Sequence, residues 1–171
     1  MVQQTLIIIK PDGVSRNLTD EIIRRYEVAG LKVVKRKDMV APLSIIEKHY
    51  PMRPDYLRSI GEKTIAAGQK VKSAKDQGRK VVTWLRKFIT SGPIVAMILE
   101  GEDAVEVARK ITGFTDPAKA EKGTIRGDLG TDNILDANRE ERPVWNLIHA
   151  SGSVKEAKKE IELWFGSCCC C

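Results

Sequence analysis

Residues 5–13 read TLIIIKPDG, and this short passage decides the architecture. Its first five positions are continuously apolar and mostly β-branched, without the alternation of a strand that faces water on one side. Such a run suits a strand buried on both faces. Lys10-Pro11-Asp12-Gly13 then signals a turn. A strand covered on both sides needs helices above and below it, and the chain downstream supplies them.

Thr19 can cap a helix with Asp20 and Glu21 in its first turn, an inner face of Leu18, Ile22, Tyr26 and Ala29, and a stop at Gly30. Residues 31–40 read as a second strand and 44–50 as a short helix, while 51–77 is basic, interrupted by glycine and helical in pieces. Val81, Val82, Leu85 and Ile89 mark another helical face, ended by Ser91-Gly92-Pro93 before a strand at 94–99. Gly101 turns the chain into a helix over 103–111 that Gly113 closes. Residues 114–142 are polar and lack periodicity, a length of loop that usually serves a function. A short apolar run at 144–148 reads as the last strand. Ser153 and Glu156 then form a capping box for a helix with Val154, Ala157, Ile161 and Trp164 inside. The order predicts a ferredoxin-like βαββαβ sandwich of the α/β (α+β) class, an antiparallel sheet covered by helices, in one domain over residues 1–165.

Composition narrows the function classes. Hydrophobic residues at 42% and charged residues at 30% are ordinary for a globular chain. No apolar run has membrane-spanning length and the start lacks a secretory pattern, so the expectation is a cytoplasmic protein without membrane contact. A net charge of +6 favours anionic partners. All four cysteines sit at positions 168–171, directly after Gly166-Ser167. Adjacent cysteines cannot staple distant segments, and residues 166–171 read as an appended handle.

There are two histidines. His49 lies in EKHY among charged residues and reads as a solvated or capping side chain. His149 ends an apolar run just before a capped helix, a place where anions are favoured. Glu160, two turns along that helix, can reach back to accept a proton from one imidazole nitrogen and leave the other free as a nucleophile. Phosphoryl transfer also needs cations around shifting oxygen charge. Lys10 at a strand end, Arg109 on a helix and Arg126 in GTIRGD are candidates, and no Walker loop is present.

Four blocks, TLIIIKPDGV, TSGPIVAMILEG, GFTDPAKAEKGTIRGD and NLIHASGSVKEAKKEIELWF, resemble in order the signature blocks of nucleoside diphosphate kinases. The likeness covers nearly the whole chain through Phe165. It implies ping-pong transfer of a γ-phosphoryl group from ATP or another nucleoside triphosphate to a nucleoside diphosphate, with Mg²⁺ carried by the nucleotide phosphates rather than by protein ligands. It makes His149 the phosphorylated residue and Glu160 its orienting partner. Lys10, Arg109, Thr115, Arg126 and Asn146 fall on positions that hold phosphates and ribose hydroxyls, and Tyr50 falls near the pocket. Ser151 matches a serine that receives phosphate in some members. Pro117 falls in a loop that shapes assembly, and the resemblance implies a homohexamer, with a tetramer as the alternative.

The sequence also departs from that pattern. Val81 stands where an aromatic ring often stacks on the base, Gly152 replaces an aspartate of the histidine block, and extra residues occur between Tyr50 and Gly78 and between Gly130 and Pro143. The basic charge admits a nucleic-acid-binding module as a second reading, but an aromatic content of 5% without an RNP-like run argues against it, and no specific nucleic acid is expected. An inactive scaffold is a third reading, opposed by the intact His149, Lys10 and Arg126.

Overall fold

The structure is a computed structural model that describes residues 1–166. The expectation for the cysteines lies outside the described residues. Strand β1 (Val2–Ile9) leads through a short helix α1 (Pro11–Ser15) and α2 (Thr19–Val28) to β2 (Lys32–Val40). Helices α3 (Leu43–His49), α4 (Pro54–Ala66) and α5 (Ala74–Ile89) precede β3 (Pro93–Glu102), and α6 (Ala104–Thr112) follows it. A 3₁₀ turn (Pro117–Lys119), α7 (Ile125–Leu129) and α8 (Ile134–Arg139) lead to β4 (Ile148–Ala150) and the closing helix α9 (Val154–Phe165).

The sheet order is β2-β3-β1-β4 with every pair antiparallel. This is the ferredoxin-like arrangement that the element order predicts. The apolar run of β1 is explained by the strand's twofold period. Ile7 and Ile9 pack with Ile22 and Tyr26 of α2 and Ala104 and Ala108 of α6. Leu6 and Ile8 pack on the other side with Ile46, Leu57, Val82 and Trp164 from α3, α4, α5 and α9. No helix among the described residues is long and apolar enough to cross a membrane.

Several local readings are corrected. Residues 11–15 form a helical turn because Pro11 occupies its first position, where a missing N–H costs nothing. Leu18 rather than Thr19 sits at the cap of α2, without a side-chain cap bond. Strand β3 runs on through Gly101 to Glu102. The polar stretch 114–142 contains the 3₁₀ turn and two short helices, capped by the side chains of Thr124 and Asn133. The last strand begins at Ile148 rather than 144, for a reason found at Leu147. In α9 Ser153 caps the N–H of Glu156, while the Glu156 carboxylate accepts from Gly152 N instead of completing the box, and Val154 is exposed. The stretch 51–77 becomes most of a close helical hairpin. A Cβ on Gly61 would strike Ala74 O, and one on Gly78 would strike Leu57 O, so glycine at these two points is what lets α4 and α5 touch.

Candidate active site

His149 is carried by β4 opposite Ile8 of the central strand. Its Nε2 lies 3.1 Å from Glu160 Oε1 on α9, which leaves Nδ1 as the nitrogen available for attack. The Ser151 hydroxyl donates to the other Glu160 oxygen at 2.5 Å and also accepts from Leu6 N at 3.2 Å. The carboxylate is therefore held at both oxygens, and the imidazole is held by the carboxylate. Burial would raise the Glu160 pKa, but the charge and hydrogen bond of His149, then His49 and Ser151, bring it down to about 2.

The approach to this strand is strained. Leu147 is fully buried at φ 66°, and Ile148 N donates to Asn146 O at 2.7 Å across it. This is a γ-turn with positive φ on a non-glycine residue, a conformation that costs on the order of 1–3 kcal/mol. It is held from the other end of the chain: Leu147 N donates to Asp12 Oδ2 at 2.9 Å and Leu147 O accepts from Lys10 N at 2.8 Å. The turn is why 144–147 does not join the sheet.

Around it lies a network of buried polar groups. Lys10 Nζ donates to Asn146 Oδ1 at 2.6 Å, and Asn146 Nδ2 donates to Thr115 O at 2.8 Å. The Arg126 guanidinium reaches three main-chain carbonyls, Asn146 at 3.0 Å, Gly113 at 3.0 Å and Ile148 at 2.6 Å. It thus ties the end of α6 to the strand that bears His149. Both cations are strongly desolvated. Burial lowers Lys10 to about 8, with Arg126 and Lys63 adding to the effect and Asp12 opposing it. Burial likewise lowers Arg126 to about 10.

His49 is buried against the site rather than solvated. Its ring stands edge-on to His149 with centroids 4.4 Å apart, and its Nδ1 accepts from Trp164 Nε1 at 3.2 Å. An indole nitrogen only donates, so Nδ1 is the unprotonated nitrogen and the proton sits on Nε2. Desolvation, then the neighbouring His149, lower its pKa to about 3, so the ring is neutral at working pH. The donor atoms of His49, His149 and Glu160 lie within 4.8 Å of one another. His49 Nδ1 is taken by Trp164, His149 Nε2 by Glu160, and the second Glu160 oxygen by Ser151.

Lys10, His49, Arg126, Asn146, His149 and Glu160 meet one cavity of about 930 Å³, lined also by Tyr50, Val81, Arg109 and Thr115. Its carboxylates are Glu156 and Glu160, both already holding protein donors. The wall is therefore built for an anion, and a divalent cation would find its oxygen ligands on that anion rather than on the protein. The family model of nucleoside diphosphate kinases matches residues 3–59 and 72–169.

The chain belongs to the nucleoside diphosphate kinase family. A nucleoside diphosphate kinase of Pyrobaculum aerophilum is 46% identical over 174 residues, covering 96% of this chain and 95% of that protein. One from Staphylococcus saprophyticus is 43% identical over 164 residues, covering 96% and 88%. A crystal structure of the Pyrobaculum aerophilum NDP kinase matches with a TM-score of 0.90 at 43% identity, covering 96% of each chain. A nucleoside-diphosphate kinase from Borrelia burgdorferi, solved as a transition-state mimic with bound vanadate and ADP, matches with a TM-score of 0.79 at 34% identity, covering 96% and 87%.

Lys10, Tyr50, Val81, Arg109, Thr115, Arg126, Asn146, His149 and Glu160 are thus all brought to one nucleoside diphosphate kinase cavity. Three features went unread in the sequence. His49 was masked by its charged neighbours, although an aromatic dipeptide, His49-Tyr50, and Trp164 on the last helix were the available signal. Tyr56 and Phe114 also line the cavity, so it has aromatic rings beyond Tyr50. Lys63 lines it from α4, a position for which the resemblance offered no counterpart.

Proposed function

We propose that this chain moves the γ-phosphoryl group of a nucleoside triphosphate to a nucleoside diphosphate through a phosphorylated His149. The observation that carries the reading is the His149–Glu160 pair. With Nε2 held by a carboxylate of depressed pKa, the Nδ1 lone pair is the nucleophile. It attacks the γ-phosphorus as the bond to the β–γ bridging oxygen breaks, and the diphosphate leaves with that electron pair. An acceptor's β-phosphate oxygen then attacks the same phosphorus and frees Nδ1. Positive charge that builds on the ring during the first step is opposed by Glu160.

Lys10, Arg109 and Arg126 bind and neutralise the phosphate oxygens, and Asn146 positions Lys10 through its 2.6 Å bond. Mg²⁺ enters as part of the nucleotide and supplies further charge neutralisation on the polyphosphate. The vanadate and ADP bound by the Borrelia relative support reading this cavity as a site of phosphoryl transfer. Residues 1–165 act as one domain, with 166–171 appended. Assembly as a homohexamer, or a tetramer, is supported by the open edge of β2 and the exposed Val40 at its end.

The test is incubation with γ-labelled ATP and Mg²⁺. Label that is labile to acid, survives alkali and is lost in His149→Ala is the expected result. Acid-stable label, as on Ser151, or label retained in His149→Ala would overturn the assignment.

A further inference from the structure

Helix α4 turns one face to the cavity. Tyr56, Ser59, Ile60, Lys63 and Thr64 line it, and their spacing of three, four, seven and eight residues places them on one side of a helix. The family match stops at residue 59 and resumes at 72, so the half of this face that carries Lys63 is additional to the family pattern.

The face is held over the cavity from the side on which α4 and α5 are joined. Lys119 Nζ donates to Ala67 O at 3.1 Å and Ala66 O at 3.4 Å, where α4 ends, and Gln77 Nε2 on α5 donates to Asn138 Oδ1 at 3.1 Å on α8. The close α4–α5 contact at Gly61 and Gly78 braces it from behind. Helix α4 is therefore a rigid wall.

Among the described residues, Lys63 is the one charged side chain of α4 that lines the cavity. It shares the cavity with Lys10, Arg109 and Arg126, and no carboxylate among the described residues pairs with it. Its charge is felt by Lys10. Burial, then Arg109 and Arg126, lower its own pKa, and only Glu156 pulls the other way. Glu156 is already engaged by Gly152 N. Bringing a further cation to this group is unfavourable until a polyanion arrives, and a nucleotide carries one.

We propose that Lys63 is a further phosphate-binding residue of this chain, placed by the added part of α4 so that its ammonium contacts non-bridging oxygens of the nucleotide polyphosphate alongside Arg109. The inference rests on reading the cavity as the nucleotide site and assigns to that site a cation the family pattern does not supply. Lys63 binds the phosphates in donor and acceptor alike, so its loss is read in affinity and KM rather than in kcat.

Calorimetric titration of ADP into the full chain, run beside γ-label incorporation at His149, tests this. Lys63→Ala should weaken ADP binding about tenfold, the scale of one charge-assisted hydrogen bond, and Lys63→Glu more. Lys63→Arg should stay near wild type, as should Lys70→Ala, which removes a lysine outside the cavity. ADP affinity within about twofold of wild type in Lys63→Ala, or Lys63→Arg as weak as Lys63→Ala, overturns the proposal. If wild type labels His149 while Lys63→Ala binds ADP normally, only this inference falls. If wild type neither labels nor binds ADP, the functional reading falls with it.

Discussion

Replacing Glu160 by Gln keeps the shape beside His149 and removes the charge. The carboxylate's pKa falls from 4.5 to about 2 in the folded chain, a difference worth about 3 kcal/mol at 1.36 kcal/mol per pH unit. Burial works against that fall, so the figure is already net of desolvation. It sets an upper bound on how strongly a carboxylate here prefers a cationic imidazole as neighbour, because His49 and Ser151 contribute to the same fall. Attack by Nδ1 creates that partner, because the ring acquires positive charge as the nitrogen bonds to phosphorus. Losing most of that stabilisation slows the step by roughly tenfold to a hundredfold. A glutamine oxygen can still accept from Nε2, so the tautomer survives and Glu160→Ala should be slower still. The assay is single-turnover labelling of His149 with γ-labelled ATP by rapid mixing. A rate for Glu160→Gln within about threefold of wild type would refute the charge assignment. Stability gives an independent check. A depressed carboxylate pKa contributes stability that is fully present above about 4.5 and is lost as the pH falls through about 2. The gap in unfolding free energy between wild type and Glu160→Gln should therefore be largest near neutral pH and close in acid.

Three further outcomes follow from the surrounding groups. Lys10, lowered to about 8 chiefly by burial, is cationic below that pH, so kcat/KM should fall above about pH 8 and the limb should move to higher pH in Lys10→Arg. The folded chain releases this proton before the unfolded chain does, so the same group makes stability rise with pH between about 8 and 10.5. Arg126→Ala should lower turnover by roughly two to four orders of magnitude and also lower the melting temperature, because carbonyls of Gly113, Asn146 and Ile148 lose their donor; an unchanged melt would mean that the guanidinium does not hold the β4 entry. His49→Phe leaves the buried Trp164 Nε1 without an acceptor and should cost about 1–3 kcal/mol in urea unfolding, whereas His49→Gln should recover part of the loss.

What could be read in the sequence was whatever local chemistry determines. The run at 5–9 betrays its burial because both faces of β1 are covered, and Ser153 betrays the start of α9 because its side chain bonds three residues on. His149 and Glu160 were legible as a pair because one short strand and one helix carry them. The β4 boundary was not, because leucine carries no signal for positive φ. The conformation of Leu147 is imposed by Asp12, 135 residues earlier in the chain. His49 escaped for the same reason: its charged sequence neighbours suggested water, while the groups that bury it, Trp164 and Glu160, come from the last helix. The cavity face of α4 needed the tertiary position of the hairpin, since spacing alone shows that five side chains share a side but not what that side meets.

These nonlocal contacts explain how so many like charges persist in one cavity. Lys10 and Arg126 each lose hydration, as their lowered pKa values register. Each recovers part of it through oxygens that cannot move away: an amide held by Thr115 for Lys10, and three main-chain carbonyls for Arg126. Carbonyl dipoles stabilise a cation without cancelling its charge, as a carboxylate would. The field therefore remains directed into the cavity, and little reorganisation is needed when phosphate charge shifts during transfer. The carboxylate most deeply set in the site, Glu160, is turned instead toward His149 and Ser151. Negative charge is thereby kept for the ring that becomes positive and positive charge for the oxygens.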